Sequence, residues 1–427
     1  MNTETQKIIN LIKQEVIPAI GCTEPIAVSL CTAKATELLG EKPEKIELFL
    51  SANIIKNAMG VGIPGTGMIG LPIAVALGAL IGKSEYQLEV LKECNKEAVE
   101  NGKKYIDENR IFINLKDTKE KLFIEVHCSA GDKTSCAIIA TNHTHYIYLE
   151  ENGKVLLKEE LSGNNDNEEK SDAPVLTLRK VWDFAMETPI DDIRFILETK
   201  KLNDSVSKES LKNNFGHQIG RIMNKSTYKG NFFADSTYTH IVSRTAAACD
   251  ARMAGCSMAV MSNSGSGNQG ISATMPIVAY CDDYNCSEEQ LIRALTLSHL
   301  TVIYIKQSLG RLSALCGCVV AATGSACGLT YLLGGDYNKV EKTVKNMAAT
   351  LTGMLCDGAK PSCALKVASG VSSAVLCSML AMEDQGVTKD EGIITDSVDD
   401  SIKNMTLIGR EGMMTTDELV LHIMTHK

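Results

Sequence analysis

Apolar positions near the start of the chain recur at helical spacing: Ile8, Ile9, Ile12 and Val16 fall on one stripe, which predicts a helix over residues 4–18. A second helical stretch follows Pro25 and runs to about Leu39, and Gly21-Cys22-Thr23-Glu24-Pro25 lies between the two. The period then changes to two. Lys45 to Leu50 alternates as a strand does, and further strands are expected over 111–115, 121–128, 134–142 and 144–149, with a turn at Glu151-Asn152-Gly153. A Gly-rich loop at 60–67 and two helices, near 68–82 and 85–109, separate the first strand from the others. Beyond residue 172 alternation nearly vanishes, and 173–427 read as helices joined by loops rich in Gly, Ser and Asn.

The break between these two regimes is marked. Ser162 to Asp172 is polar, charged and free of apolar residues, as a linker or exposed loop would be. The expected architecture is therefore α+β: a mixed α/β portion over 1–161, packed on a larger, mainly helical C-terminal domain over 173–427. At ~100–200 residues per domain the length suits this division. The apolar stretch Met68 to Ile81 falls short of the ~20 residues that cross a bilayer, and Val367 to Met382 is interrupted by Ser and Gly, so no membrane association is expected.

Charge and composition narrow the function. Lys+Arg 43 against Asp+Glu 52 leaves a net charge of −9, which offers no basic field for a phosphate backbone, so nucleic acid is not an expected partner. Only 5% of residues are aromatic, with Trp182 the single Trp, while 33 Gly and 17 Met suit closely packed helices. Fifteen cysteines follow a polar start, Met1 to Asn10, that lacks signal-peptide regions, so reduced thiols in a cytoplasmic protein are expected.

The cysteine spacings exclude familiar metal sites. No Cys-x-x-Cys occurs, which removes zinc ribbons and thioredoxin-like pairs, and His143 and His145 read as polar residues sharing one face of a strand. Cys316, in Arg311-Leu-Ser-Ala-Leu-Cys316-Gly-Cys318, and the pair Cys356 and Cys363 around Gly358 and Pro361 are more informative. On one helix Cys356 and Cys363 would stand about 10.5 Å apart along the axis. A turn at Gly358 and Pro361 would fold both thiolates toward one point, with Cys316 arriving from another segment, and three thiolates on a [4Fe–4S] cube leave one iron unclaimed. The plain alternative is that these cysteines pack as small apolar residues. Cys22 precedes a helix N-terminus, which favours a thiolate.

Two loops match G-x-G-x-x-G, at Gly60, Gly62, Gly65 and at Gly265, Gly267, Gly270, but neither pairs a strand leading straight into the glycines with an acidic residue about 20 positions on, as dinucleotide binding requires. Freed backbone N–H groups beside Asn263, Ser264, Ser266, Asn268 and Gln269 suit a small carboxylate. Asn53, Lys56 and Thr66 of the first loop region add amide, cation and hydroxyl. Lys366 alone is no pyridoxal phosphate signature. Arg244, Asp250 and Arg252 need partners if buried, and read equally as an internal ion pair or as substrate contacts.

Taken in order, Gly-Cys22-Thr-Glu-Pro, Gly60-Val-Gly-Ile-Pro-Gly-Thr-Gly67, Asn263-Ser-Gly-Ser-Gly-Asn-Gln-Gly270, the 311–316 segment and Cys356-Asp-Gly-Ala-Lys-Pro-Ser-Cys363 resemble the L-cysteine desulfidase family, itself related to the α portion of iron–sulfur L-serine dehydratases. The resemblance covers residues from about 10 to 420. It implies one [4Fe–4S] cluster per subunit on Cys316, Cys356 and Cys363, Cys22 as proton-abstracting residue, and no pyridoxal phosphate. The implied reaction is β-elimination of L-cysteine to hydrogen sulfide, ammonia and pyruvate through 2-aminoacrylate, with L-serine deamination the alternative. Cys318, Cys327, Cys281 and Cys286 match no ligand position. A helix-terminus effect would lower the Cys22 pKa. The expected partner is a small amino acid, and a homo-oligomer is compatible. Two other readings stay open: a non-catalytic amino-acid-binding protein, and a thiol hydrolase using Cys22, for which no His partner is evident.

Overall fold

The computed structural model describes residues 3–118, 120–160, 173–225, 233–310 and 313–426. The expected linker at 162–172 lies outside them, as do Arg311 and Leu312. The strands are β1 (Pro18–Ala19), β2 (Lys45–Leu50), β3 (Ile111–Leu115), β4 (Phe123–Ala130), β5 (Lys133–Ala140), β6 (Tyr146–Glu151), β7 (Lys154–Lys158) and β8 (Val260–Met261). Six of them form one sheet in the order β3-β2-β4-β5-β6-β7, antiparallel except for β2 with β3. Ile46, Leu48 and Leu50 of β2 and Ile124, Val126 and Cys128 of β4 turn to one face. The helices Thr23–Leu39 and Leu71–Ile81 share that core. The second half is a body of helices, so the fold is α+β as the periodicities predict.

Local chemistry explains where the elements depart from expectation. The helix expected over 85–109 is a 3-10 turn, Ser84–Glu89, followed by the helix Lys96–Asp107, because Asn95 caps the latter by accepting the Ala98 N–H at 3.0 Å. The strand β7 was not expected. Its Lys-Val-Leu-Leu-Lys sequence does not alternate, yet Asn152 and Gly153 both take positive φ (48° and 76°) and close a hairpin onto it. The seven-residue helix Ala52–Ala58 is too short to show a period. His143 and His145 lie in the turn between β5 and β6 rather than on a strand face.

The two halves are interleaved. The first helix, Thr3–Glu15, buries Ile8, Ile9 and Ile12 in the core of the helical half, beside residues such as Ile271, Leu295 and Val302, and β1 pairs with β8. In return the last helix, Met414–Thr425, places Leu421 in the N-terminal core. The helix Cys363–Met382 is long and apolar enough, by length and composition, to cross a membrane, which the sequence reading had set aside because of its Ser and Gly. Its Val367, Val371, Ala374, Cys377 and Ala381 are buried, and it packs on the helices Gly317–Leu332, Thr237–Met253 and Tyr337–Leu351.

Candidate active site

A cavity of about 160 Å³ opens where the halves meet. Several chain segments reach it, Arg252 from the helix Thr237–Met253 and Lys306 from the helix Glu288–Leu309 among them. Cys22 stands at the N-cap of the helix Thr23–Leu39, and Asn53, Lys56 and Asn57 come from the short helix after β2. Ser264, Ser266, Asn268 and Gln269 surround the start of the helix Gly267–Tyr284. Cys316 and Cys318 flank the start of Gly317–Leu332, and Cys356, Cys363 and Lys366 complete the wall.

Backbone pairing brings the cysteines in. The Cys316 N–H donates to Met354 O at 2.9 Å and the Cys356 N–H to Ala314 O at 2.7 Å, so the two segments run side by side and bring their thiols near each other. Gly358 then turns the chain back, with φ +89, and Cys363 opens the next helix with its Sγ 3.5 Å from Gly358 O. Cys363 is near enough for its charge to act on both Cys356 and Cys22. Among the described residues no three of these sulfurs lie within 4.8 Å of one another, so they ring a cavity instead of meeting at one point. That is not the close triangle of a single-ion site, and three separate thiolates are the donor set that a cube, giving each its own iron, would take. Cys318 also lines the cavity but donates to Lys366 O at 3.1 Å. Cys327, Cys281 and Cys286 do not line it.

The surroundings of Cys22, Cys316, Cys356 and Cys363 all shift the thiol pKa above its ordinary value. Burial pushes Cys22 up to about 11, and the Arg252 guanidinium beside it pulls the other way. The helix terminus does not deliver the lowered pKa expected from sequence, because Cys22 is only 3% exposed and desolvation outweighs it. Cys316 is pushed up to about 12, chiefly by its contact with Cys318. Metal coordination would remove such protons outright.

The cations differ in how they are matched. Lys56 is buried in an ion pair with Asp417 of the last helix. Lys366 pairs with Asp357 and donates to Leu355 O at 2.6 Å; burial opposes its charge, and the Asp357 contact outweighs that and raises its pKa. Arg244 is bound to Asp204 at 2.8 Å and Asp282 at 2.7 Å, the internal ion pair foreseen as one option. Arg252 is the other option. It is 7% exposed, lines the cavity, and among the described residues donates to neutral acceptors, Gly21 O at 2.9 Å and Asn268 Oδ1 at 3.1 Å. Among the described residues its Nε has no hydrogen-bond partner, nor has the buried Oε1 of Gln269. A Cβ at Gly267 would sit 2.2 Å from Arg252 Nε, so any larger residue there would displace the guanidinium. Sequence reasoning left Arg252 undecided; the adjacent Gly-rich loop, which lets a bulky cation cross, is the signal that marks it.

One proposed contact falls away. Thr66 is not on the cavity wall: its hydroxyl donates to Ile63 O at 2.8 Å and accepts the Met68 N–H at 2.9 Å, tying its own loop. No residue of the 60–67 loop lines the cavity; the loop packs behind it, with Val61 in the apolar cluster that holds Cys22 and the Gly62 N–H on Met253 O at 2.8 Å. No histidine is on the wall either. His299 is fully buried behind it, hydrogen-bonded to Asn263 and Thr274, and burial depresses it to about 3.

Known proteins with similar sequences fit this picture. The family model described as serine dehydratase alpha chain matches residues 85–422. The chain belongs to that family. It is also 62% identical to a UPF0597 protein of Bacteroides thetaiotaomicron over 429 residues, covering 100% of this chain and 99% of that one. A UPF0597 protein of Oleidesulfovibrio alaskensis is 42% identical over 427 residues, again 100% of this chain and 99% of the relative. Family membership makes the chain serine dehydratase-like and lyase-type. Cys316, Cys356 and Cys363 lie within the matched span, while Cys22 precedes it.

Proposed function

We propose that this protein is a [4Fe–4S]-dependent β-eliminating lyase acting on L-cysteine, holding one cluster per subunit on Cys316, Cys356 and Cys363. The observation that carries this reading is the shared cavity: three cysteines on separate turns face Cys22 and a buried guanidinium that lacks a carboxylate within ion-pair distance among the described residues. When bound, the cluster supplies an iron with an open position that withdraws electrons from the β-substituent.

The protein's own groups do the rest. Arg252, with the first-turn N–H groups of the helix Gly267–Tyr284, holds the substrate carboxylate. The unpartnered Gln269 Oε1 accepts from the α-ammonium, and Ser264, Ser266, Asn268 and Asn53 close the polar wall. Cys22 takes the α-proton once its own proton has left, a loss that burial opposes and the Arg252 guanidinium beside it favours, and the electrons of that C–H bond form the Cα–Cβ double bond as the Cβ–S pair departs with sulfur. Hydrogen sulfide and 2-aminoacrylate result; the latter tautomerises and adds water to give pyruvate and ammonia. Lys366 is paired with Asp357, and the scheme uses no pyridoxal phosphate. All fifteen cysteines are free thiols, in keeping with a reducing cytoplasm. L-serine is the second reading, favoured by the serine dehydratase family match.

Anaerobic purification with iron and acid-labile sulfide analysis, followed by product assays on L-cysteine and L-serine, tests this. Near four irons per chain and sulfide release from L-cysteine are expected. Cys316→Ser should lose iron; Cys22→Ser should keep the iron and lose turnover. A colourless, iron-free protein would sink the proposal, and a higher kcat/KM for L-serine would transfer it to the second reading.

A further inference from the structure

The six-stranded sheet turns its apolar face to the helices, and its opposite face carries a separate convergence of donor groups. Glu125 and His127 are two apart on β4 and so point the same way, and the register pairs His127 with Cys136 on β5. Glu125 Oε1 lies 2.8 Å from His127 Nε2, Cys136 Sγ lies 3.9 Å from that same nitrogen, and all three donor atoms fall within 4.8 Å of one another. None of the three residues touches the cavity of the proposed lyase site.

The shared nitrogen decides between two chemistries. A nucleophile–base–acid relay needs the thiol on one imidazole nitrogen and the carboxylate on the other. Here both address Nε2, which leaves no relay and makes that nitrogen one corner of a ligand triangle. The surroundings hold the triangle in place. Lys116 Nζ takes the other carboxylate oxygen, Oε2, at 2.6 Å, which leaves Oε1 turned toward His127, and Phe49 meets the imidazole edge-on at 5.8 Å. Cys136 is buried while His127 is 43% exposed, so the group is anchored on one side and open to solvent on the other.

We propose that Glu125, His127 and Cys136 bind one divalent ion of the zinc class. Thiolate, imidazole and carboxylate together suit a borderline-soft ion, and three protein donors leave a fourth position for water. Tetrahedral zinc with ordinary bond lengths separates such donors by roughly 3.3–3.6 Å. The distances of 2.8 and 3.9 Å bracket that range and the third separation is within 4.8 Å, so an ion enters with donor shifts of up to about 1 Å. This site stands whether or not the lyase reading does.

Anaerobic titration of the purified full-length protein with Co2+ alone tests the assignment, because thiolate-to-cobalt charge transfer reports a sulfur ligand directly. One equivalent should bind with that band. The band should vanish in Cys136→Ser and persist in Cys316→Ser, and His127→Ala should weaken binding by more than about 100-fold, beyond what loss of an outer-shell partner costs. His127 is half-exposed, so that variant keeps the test usable if Cys136→Ser fails to fold. No thiolate band in the wild type overturns the proposal, as does a band kept without His127 or lost without Cys316.

Discussion

Arg252 brings a charge into a cavity where Lys56 and Lys366 already have carboxylates. Losing a buried, hydrogen-bonded charge contact to a ligand costs about 2–5 kcal/mol. Arg252→Gln is therefore expected to raise KM for L-cysteine by about 30-fold or more, at 1.4 kcal/mol per decade. Inhibition by cysteamine, which has the thiol and amine but no carboxylate, should change little; an equal loss for both molecules would show that Arg252 only props the wall. Two residues earlier, Asp250 is buried with Oδ1 unpartnered, and burial raises it to about 7. The folded state then holds a proton that the unfolded state has released above pH ~4, so its contribution to stability falls as pH rises from about 4 to 7. His299 acts in the opposite sense, since its depressed pKa costs stability as pH drops below ~6.5. The stability difference between wild type and Asp250→Asn isolates the first effect. Urea unfolding at pH 5 and pH 7.5 should show the wild type losing more stability across that interval than the variant, and parallel curves would contradict the raised pKa.

The cysteine turn is held at the level of elements by a backbone contact. A Cβ on Gly358 would come within 2.0 Å of Lys56 O, and the residue needs φ +89. Gly358→Ala is thus expected to push the 356–363 turn off the short helix Ala52–Ala58, lowering both thermal stability and iron content after anaerobic reconstitution; unchanged iron loading would mean that the turn tolerates the shift. This coupling shows what sequence could and could not reveal. Cys316, Cys356 and Cys363 were legible because chain-breaking Gly358 and Pro361 between two cysteines imply a turn, and β2 and β4 were legible because one face is buried. The helix Ala52–Ala58 was not, being under two turns long, nor was β7, whose edge position frees it from alternation. Thr66 was misplaced because a hydroxyl among glycines looks alike whether it faces a ligand or ties its own loop.

Across the whole molecule, the exchange of terminal helices makes the two halves depend on each other. Without Ile8, Ile9 and Ile12 the helical half has a gap in its core, so a fragment of residues 173–427 is not expected to fold alone. The last helix closes the reciprocal contact through Asp417 and Lys56, far apart in sequence and adjacent to the cavity. Lys56 is 4% exposed and Asp417 29%, so removing the carboxylate strands a buried ammonium while the lost partner was partly solvated. Breaking such a pair typically costs 3–5 kcal/mol, and the exposure of Asp417 reduces this to about 2–3 kcal/mol. Asp417→Asn should lower the urea midpoint accordingly and expose the last helix to limited proteolysis. Replacing the cation as well, in Lys56→Met with Asp417→Asn, removes the stranded charge and should recover most of the loss, because an apolar side chain of similar length is tolerated where an unpaired ion is not. If the double variant is as unstable as the sum of the two single ones, the pair is not coupled, and the last helix is held by Leu421 and its apolar neighbours instead.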